Sequence, residues 1–387
     1  MHESEILNSL GENHGDYFNA IAPPIIQTSN FQFDTVDDFR KAIEAEFDTY
    51  IYSRGNNPTV DMLRKKLAAL DGAEDALVLN SGASAIFCAV LPFVHQGCHV
   101  VSVSNPYTWA KKMFDVLLPR FGVSVTYVDG SDIGNWKKAT LPQTTLFYLE
   151  SPNSWDFDLQ DLQEVARFAK SHKITTIADN SYCTPLYQQP IKMGIDLCVQ
   201  SATKYIGGHS DVVGGVITGS KELISRIFYS EYMTTGAGAT PLHAWLMLRG
   251  LRTMPLRLQR SFETGKKMVA WLREQDWVEG MIYPWDKDFP QYRLAQKQMK
   301  GANGLFTFSV KAATAQAIED FCNNLKAFRM GVSWGGHESL IIPKAGTMKR
   351  EAFDAGNIEH RQIRMYVGLE DFEYLREDLE RNSVRLS

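Results

Sequence analysis

An α/β fold, with a large domain on a mostly parallel sheet and a smaller C-terminal α/β domain, is predicted by three observations. Short apolar runs alternate with helical patterns between about residues 56 and 245. The texture then changes to long helical stretches with fewer strands. The chain, at 387 residues, is also too long for one simple core. The division predicted is an N-terminal arm over 1–55, a large domain over 56–245 and a small domain over 246–387.

Residues 1–55 carry Pro23-Pro24 and few regular patterns, so an extended arm is expected there. Val60, Leu63, Leu67 and Leu70 fall on one helical face. Ala76–Leu79 reads as a short apolar strand and Ser84–Val94 as an apolar helix. Val100–Val103, Val123–Val128, Leu146–Leu149, Ile174–Ala178 and Leu197–Val199 read as further strands, with a helix around Val165–Ala169. That rhythm predicts a parallel sheet covered on both faces. Beyond it, Trp245–Leu251 and Leu256–Leu272 form a helical run expected to bend at Pro255. Leu305–Val310 alternates as a half-buried strand does, Ala312–Leu325 is helical, Ile363–Val367 is a strand, and Phe372–Leu379 closes the chain as a helix.

Composition narrows the function. Hydrophobic residues make up 44% and charged residues 22%, ordinary for a globular protein. A net charge of −5 argues against a nucleic-acid surface. No stretch reaches the roughly 20 apolar residues of a membrane helix. Met1–Leu10 has acids and no apolar core, unlike a signal peptide. Five scattered cysteines suit a reducing compartment better than a disulfide framework, so a cytoplasmic location is expected. His95, Cys98 and His99 lie close together but lack a second ligand pair, and we read them as structural.

Three segments carry chemistry. Asn80-Ser81-Gly82-Ala83-Ser84 links an apolar strand to a helix through small residues. It is either a plain turn or a place where backbone N–H groups and a helix N-terminus receive a phosphate. Asp179 ends a buried strand, where parallel sheets bind ligands; it is either a turn cap or the partner of a protonated ring nitrogen. Lys204 follows another apolar strand, and Ser201 and Thr203 precede it. A lone lysine there is usually a solvated surface residue; partial drying would lower its pKa and free its amine for imine formation. The three together match what pyridoxal 5′-phosphate (PLP) needs: an amine, an acid for the pyridine nitrogen and a phosphate cradle.

These segments, with others, resemble the cystathionine and methionine metabolism family of PLP enzymes. The matching stretches are Tyr52-Ser53-Arg54, Asn57-Pro58-Thr59, Ser81-Gly82, Ala178-Asp179-Asn180, Ser201 to Tyr205, Gly208 to Asp211, Leu248 to Leu251, Gly335 to Leu340, Arg364 and Gly368 to Asp371. They span nearly the whole chain in order. The resemblance implies the type I, aspartate-aminotransferase-like fold, and Lys204 as the Schiff-base lysine and proton shuttle. It implies that Asp179 pairs with the ring nitrogen and that Ser81, Gly82, Ala83, Ser201 and Thr203 hold the phosphate. Tyr107 would stack on the ring and assist proton transfer. Tyr52 and Arg54 would reach a neighbouring subunit's phosphate, making a dimer the catalytic unit of a tetramer. Arg364 would clamp the substrate carboxylate, with Ser333 assisting and Val332 and Trp334 beside it.

The family contains β-lyases, γ-lyases, γ-synthases and sulfhydrylases. Glu150-Ser151-Pro152-Asn153-Ser154 with Trp155, and Ser333-Trp334-Gly335-Gly336, resemble bacterial cystathionine β-lyase. Thr108-Trp109 after Tyr107 leaves no place for the reactive cysteine of many methionine γ-lyases, whereas Val332 resembles those enzymes. The expectation is therefore a carbon–sulfur lyase of a small sulfur amino acid, first a cystathionine β-lyase. The alternatives are a methionine γ-lyase, a cystathionine γ-synthase or γ-lyase and, outside that class, an aminotransferase or a non-catalytic PLP-binding protein.

Overall fold

Two β-sheets make up the fold, and the longest helix between them in sequence, Pro241–Arg273, is about 50 Å long at 1.5 Å per residue. This computed structural model describes residues 1–386. The first sheet contains β1 (Asp75–Leu79), β2 (His99–Val103), β3 (Ser124–Val128), β4 (Thr144–Glu150), β5 (Thr175–Asp179), β6 (Leu197–Gln200) and β7 (Gly215–Gly219). Its order is β1-β7-β6-β5-β4-β2-β3. Neighbours from β6 to β3 run parallel, and β7 is antiparallel to both β1 and β6. The carboxyl ends of β1, β2, β4, β5 and β6 therefore share one edge. β2 is buried along its whole length, as expected for a strand covered on both faces.

The second sheet contains β8 (Val278–Ile282), β9 (Leu305–Val310), β10 (Arg329–Met330), β11 (Leu340–Pro343) and β12 (Gln362–Tyr366), in the order β10-β11-β12-β9-β8. This is an α/β architecture with a larger, mostly parallel sheet and a smaller second one.

Several local expectations need correction. The arm is not simply extended, because Glu3–Asn8 and Val36–Glu44 are helices. The Val36–Glu44 helix starts at Thr35, whose hydroxyl accepts the Asp38 N–H at 3.1 Å. β9 is buried at all six positions, not at alternate ones. Its neighbours β12 and β8 flank it, and its polar Thr307 and Ser309 are buried with the apolar residues. The expected helical run is one helix, Pro241–Arg273, with Pro255 inside it. His99 spans Thr144 and Thr126, at 2.8 and 2.9 Å, which occupies both its ring nitrogens.

Candidate active site

The shared strand edge gathers the chemistry. A cavity of about 210 Å³ opens there, lined by Ser81, Gly82, Ala83, Tyr107, Glu150, Asp179, Ser201, Thr203, Lys204 and Trp334, among others. Each comes from a strand end or from the loop or helix start just beyond it, except Trp334, which the loop between β10 and β11 supplies.

At the end of β1, Ser81 caps helix Gly82–Val90. Its hydroxyl accepts the Ser84 N–H at 3.1 Å, and its own N–H donates to Ser84 Oγ at 3.2 Å. The free N–H groups at the start of that helix carry positive potential. Gly82 lets this turn pack closely on Ser201, since a Cβ there would lie 3.0 Å from the Ser201 side chain. Ser201 is fixed through its N–H, which donates to Ser181 Oγ at 2.7 Å. Thr203 Oγ1 donates to the Gly214 carbonyl at 3.2 Å.

Asp179 ends β5 and accepts the Ser181 N–H at 2.9 Å. Burial raises its pKa, while the Ser181 hydrogen bonds and the Lys204 charge act against that rise. Lys204 Nζ donates to Ser333 Oγ at 2.5 Å and lies 4.3 Å from the centre of the Trp334 ring. Burial, aided by the Arg364 charge and opposed by Asp179, lowers the Lys204 pKa to about 8. A larger share of neutral amine at physiological pH follows.

Arg364, in β12, is buried, its guanidinium 5.1 Å from the centre of the Trp155 ring and 5.2 Å from that of Trp334. Its Nη1 donates to the Ser154 carbonyl at 3.2 Å. Trp155 is tied to the second sheet as well, its carbonyl accepting the Thr307 hydroxyl at 3.0 Å. Ser333 has φ of 96°, a left-handed conformation that strains a residue with a Cβ. Gly335 brings this loop onto Lys204, where a Cβ would lie 2.9 Å from the Lys204 carbonyl carbon.

Not every expected residue lines this cavity. Val332, 84% exposed, and Ser333 border an adjoining cavity that also touches Thr203 and Trp334, and Arg364 lines neither of the two. Tyr52 and Arg54 are exposed and stack on each other, the guanidinium 5.3 Å from the ring centre. Sequence reasoning missed Glu150 as a site residue. It ends β4 directly beside Asp179 and accepts the Tyr107 N–H at 2.6 Å. Its place at a strand end, like that of Asp179, was the available signal.

The donor set fits PLP. Helix N–H groups and hydroxyls suit a phosphate, a buried carboxyl suits a protonated ring nitrogen, and a half-dry amine suits a carbonyl carbon. The fold and site thus define a type I PLP-dependent enzyme. A family model described as Cys/Met metabolism PLP-dependent enzyme matches residues 5–383, and the chain belongs to that family. Its cofactor is PLP. An L-methionine gamma-lyase of Treponema denticola is 35% identical over 386 residues, covering 98% of this chain and 94% of that protein. An L-alanine/L-glutamate racemase of Wolbachia pipientis is 32% identical, covering 100% and 98%. The solved cystathionine gamma-lyase of Lactobacillus plantarum, in complex with L-serine, superposes with a TM-score of 0.90 at 28% identity, covering 100% and 99%.

Proposed function

We propose that this enzyme is a carbon–sulfur lyase of small sulfur amino acids, and that its reaction is β-elimination of L-cystathionine to homocysteine, pyruvate and ammonia. The observation that supports the PLP-lyase part of this reading is the Lys204 amine, which sits 4.3 Å from the Trp334 ring and within the field of Asp179. The choice of β-elimination rests on the resemblance of the segments around Ser154 and Ser333. When bound, PLP spreads the negative charge left at Cα over its ring. Lys204 Nζ takes the Cα proton. Ser333 Oγ, its hydrogen-bond partner, orients that nitrogen. Asp179 keeps the ring nitrogen protonated. Ser81, Gly82, Ala83, Ser201 and Thr203 bind the phosphate. Tyr107, 39% exposed at the cavity wall, would stack on the ring and assist proton movement. Arg364 binds the substrate carboxylate through its planar fork, with the Trp155 and Trp334 indoles beside it.

Tyr52 and Arg54, pointing outside their own cavity, are assigned to the phosphate site of a second copy, so the working unit is a dimer, with a tetramer as its assembly. The arm over 1–55, the large domain over 56–245 and the small domain over 246–387 divide these tasks. No helix among the described residues is long and apolar enough to cross a membrane. The five free, buried cysteines suit the reducing cytoplasm.

A second reading, γ-elimination of L-methionine, is favoured by relatives carrying that name and by the apolar Val332 at the mouth. Purified enzyme incubated separately with L-cystathionine and L-methionine decides between them. Homocysteine with pyruvate from the first is expected. Methanethiol with 2-oxobutyrate from the second, with cystathionine inert, overturns the β-elimination reading.

A further inference from the structure

Glu150 is a buried carboxyl in the cavity to which none of the steps above gives a task. It is 6% exposed and stands directly across from Asp179 in the parallel ladder between β4 and β5. Two carboxyls thus face one cavity from paired positions. Among the described residues Glu150 forms no ion pair. Its Oε2 accepts the Tyr107 N–H, and its own N–H donates to Gln160 Oε1 at 3.2 Å. The charged and titratable groups around it are Asp179 on β5, Arg364 on β12, Tyr107 after β2 and Tyr148 on its own strand.

We propose that Glu150 is a positioning residue that works protonated: it anchors the Tyr107 backbone as a neutral acceptor and leaves Asp179 as the one negative charge on this wall. Two adjacent buried anions repel, and burial penalises each, so one of the pair keeps its proton. Asp179 has the stronger claim to the charge, since it accepts hydrogen bonds from Ser181 and lies in the field of Lys204. Burial and the Asp179 charge together push the Glu150 pKa well up. An ionised Glu150 would also attract the positive charge of Arg364 away from a substrate carboxylate. This inference rests on the reading of Asp179 as the partner of the ring nitrogen.

The test combines Glu150→Gln and Glu150→Ala with two measurements. Infrared spectra of cofactor-free protein, made with isotope-labelled glutamate, report the protonation state at neutral pH. A protonated-carboxyl band that vanishes in Glu150→Gln is expected; its absence from the parent protein overturns the proposal. The second measurement is the pH midpoint of visible absorbance with PLP bound. Glu150→Ala, which frees the Tyr107 N–H, is expected to lower kcat roughly tenfold more than it raises KM, and Gln recovers most of that loss. The Gln midpoint stays within about half a pH unit of the parent, because no charge has been removed. A fall of about one unit or more in that midpoint overturns the proposal, since it reports a lost anion. Asp179→Asn separates the underlying reading: roughly tenfold weaker PLP binding supports it, and equal binding overturns it whatever the infrared shows.

Discussion

Lys204 and Ser333 meet across the gap between the two sheets. The Lys204 amine donates to Ser333 Oγ at 2.5 Å although 129 residues separate them in sequence. The serine holds this position from a left-handed backbone, φ 96°. Its hydroxyl and its strain are thus separable contributions.

Replacing Ser333 should separate them. Ser333→Gly removes the hydroxyl and the strain, whereas Ser333→Ala removes only the hydroxyl. The glycine variant is expected to be more stable than the alanine variant by about 1 kcal/mol, measured by denaturant unfolding of cofactor-free protein. Equal midpoints would show that the backbone stores no strain there.

The Lys204 amine should titrate early. Its pKa of about 8 lies below the usual 10.5 for lysine. Between those values the folded state has released a proton that the unfolded state keeps. Stability of the cofactor-free protein therefore rises with pH across that window, and the contribution is complete once the pH exceeds the unfolded value. Lys204→Met should flatten this slope. An amine-reactive label, followed by mass spectrometry, should modify Lys204 with a midpoint near pH 8, and Lys204→Ala should abolish the visible absorbance of covalently held cofactor.

Arg364→Lys should damage binding although charge is kept. A lysine has no planar fork to offer a carboxylate beside Trp155 and Trp334, so KM is expected to rise roughly tenfold or more while kcat changes less. Steady-state kinetics on the preferred sulfur amino acid measures both.

Asp71 offers a stability test at a residue that does not line the cavity. It is fully buried, accepting from Gln200 Nε2 at 2.8 Å and from the Thr218 hydroxyl at 2.7 Å. Burial raises its pKa to about 7, and those hydrogen bonds act against the rise. The folded state binds the extra proton between about pH 4 and 7, so stability falls as pH rises through that range. Asp71→Asn keeps a neutral acceptor for both donors. It is expected to unfold at higher temperature than the parent above pH 7 and to lose that advantage near pH 4, as calorimetry would show.

The first sheet was legible because its strands are short apolar runs with ordinary signals at each end. β5 and β6 came through because Ile177, Ala178, Leu197 and Val199 are buried on both faces. β7 was not, since Gly215–Gly219 is bounded by glycines and pairs antiparallel with distant segments, which no local pattern records. The strands β10 and β11 were equally hidden, one only two residues long. In the site, Lys204 and Asp179 stood out through residue type and place. Glu150 and Trp155 did not, because their importance lies in what they touch: Asp179 and Tyr107 for one, Arg364 and Thr307 for the other.

The short approach of Gly335 to the Lys204 backbone ties reactivity to the relative pose of the two halves of the molecule. A small rotation of the second sheet would pull Ser333 and the indole of Trp334 away from the amine without touching the phosphate cradle. Mild warming or dilute denaturant should therefore silence turnover while the coloured cofactor stays attached.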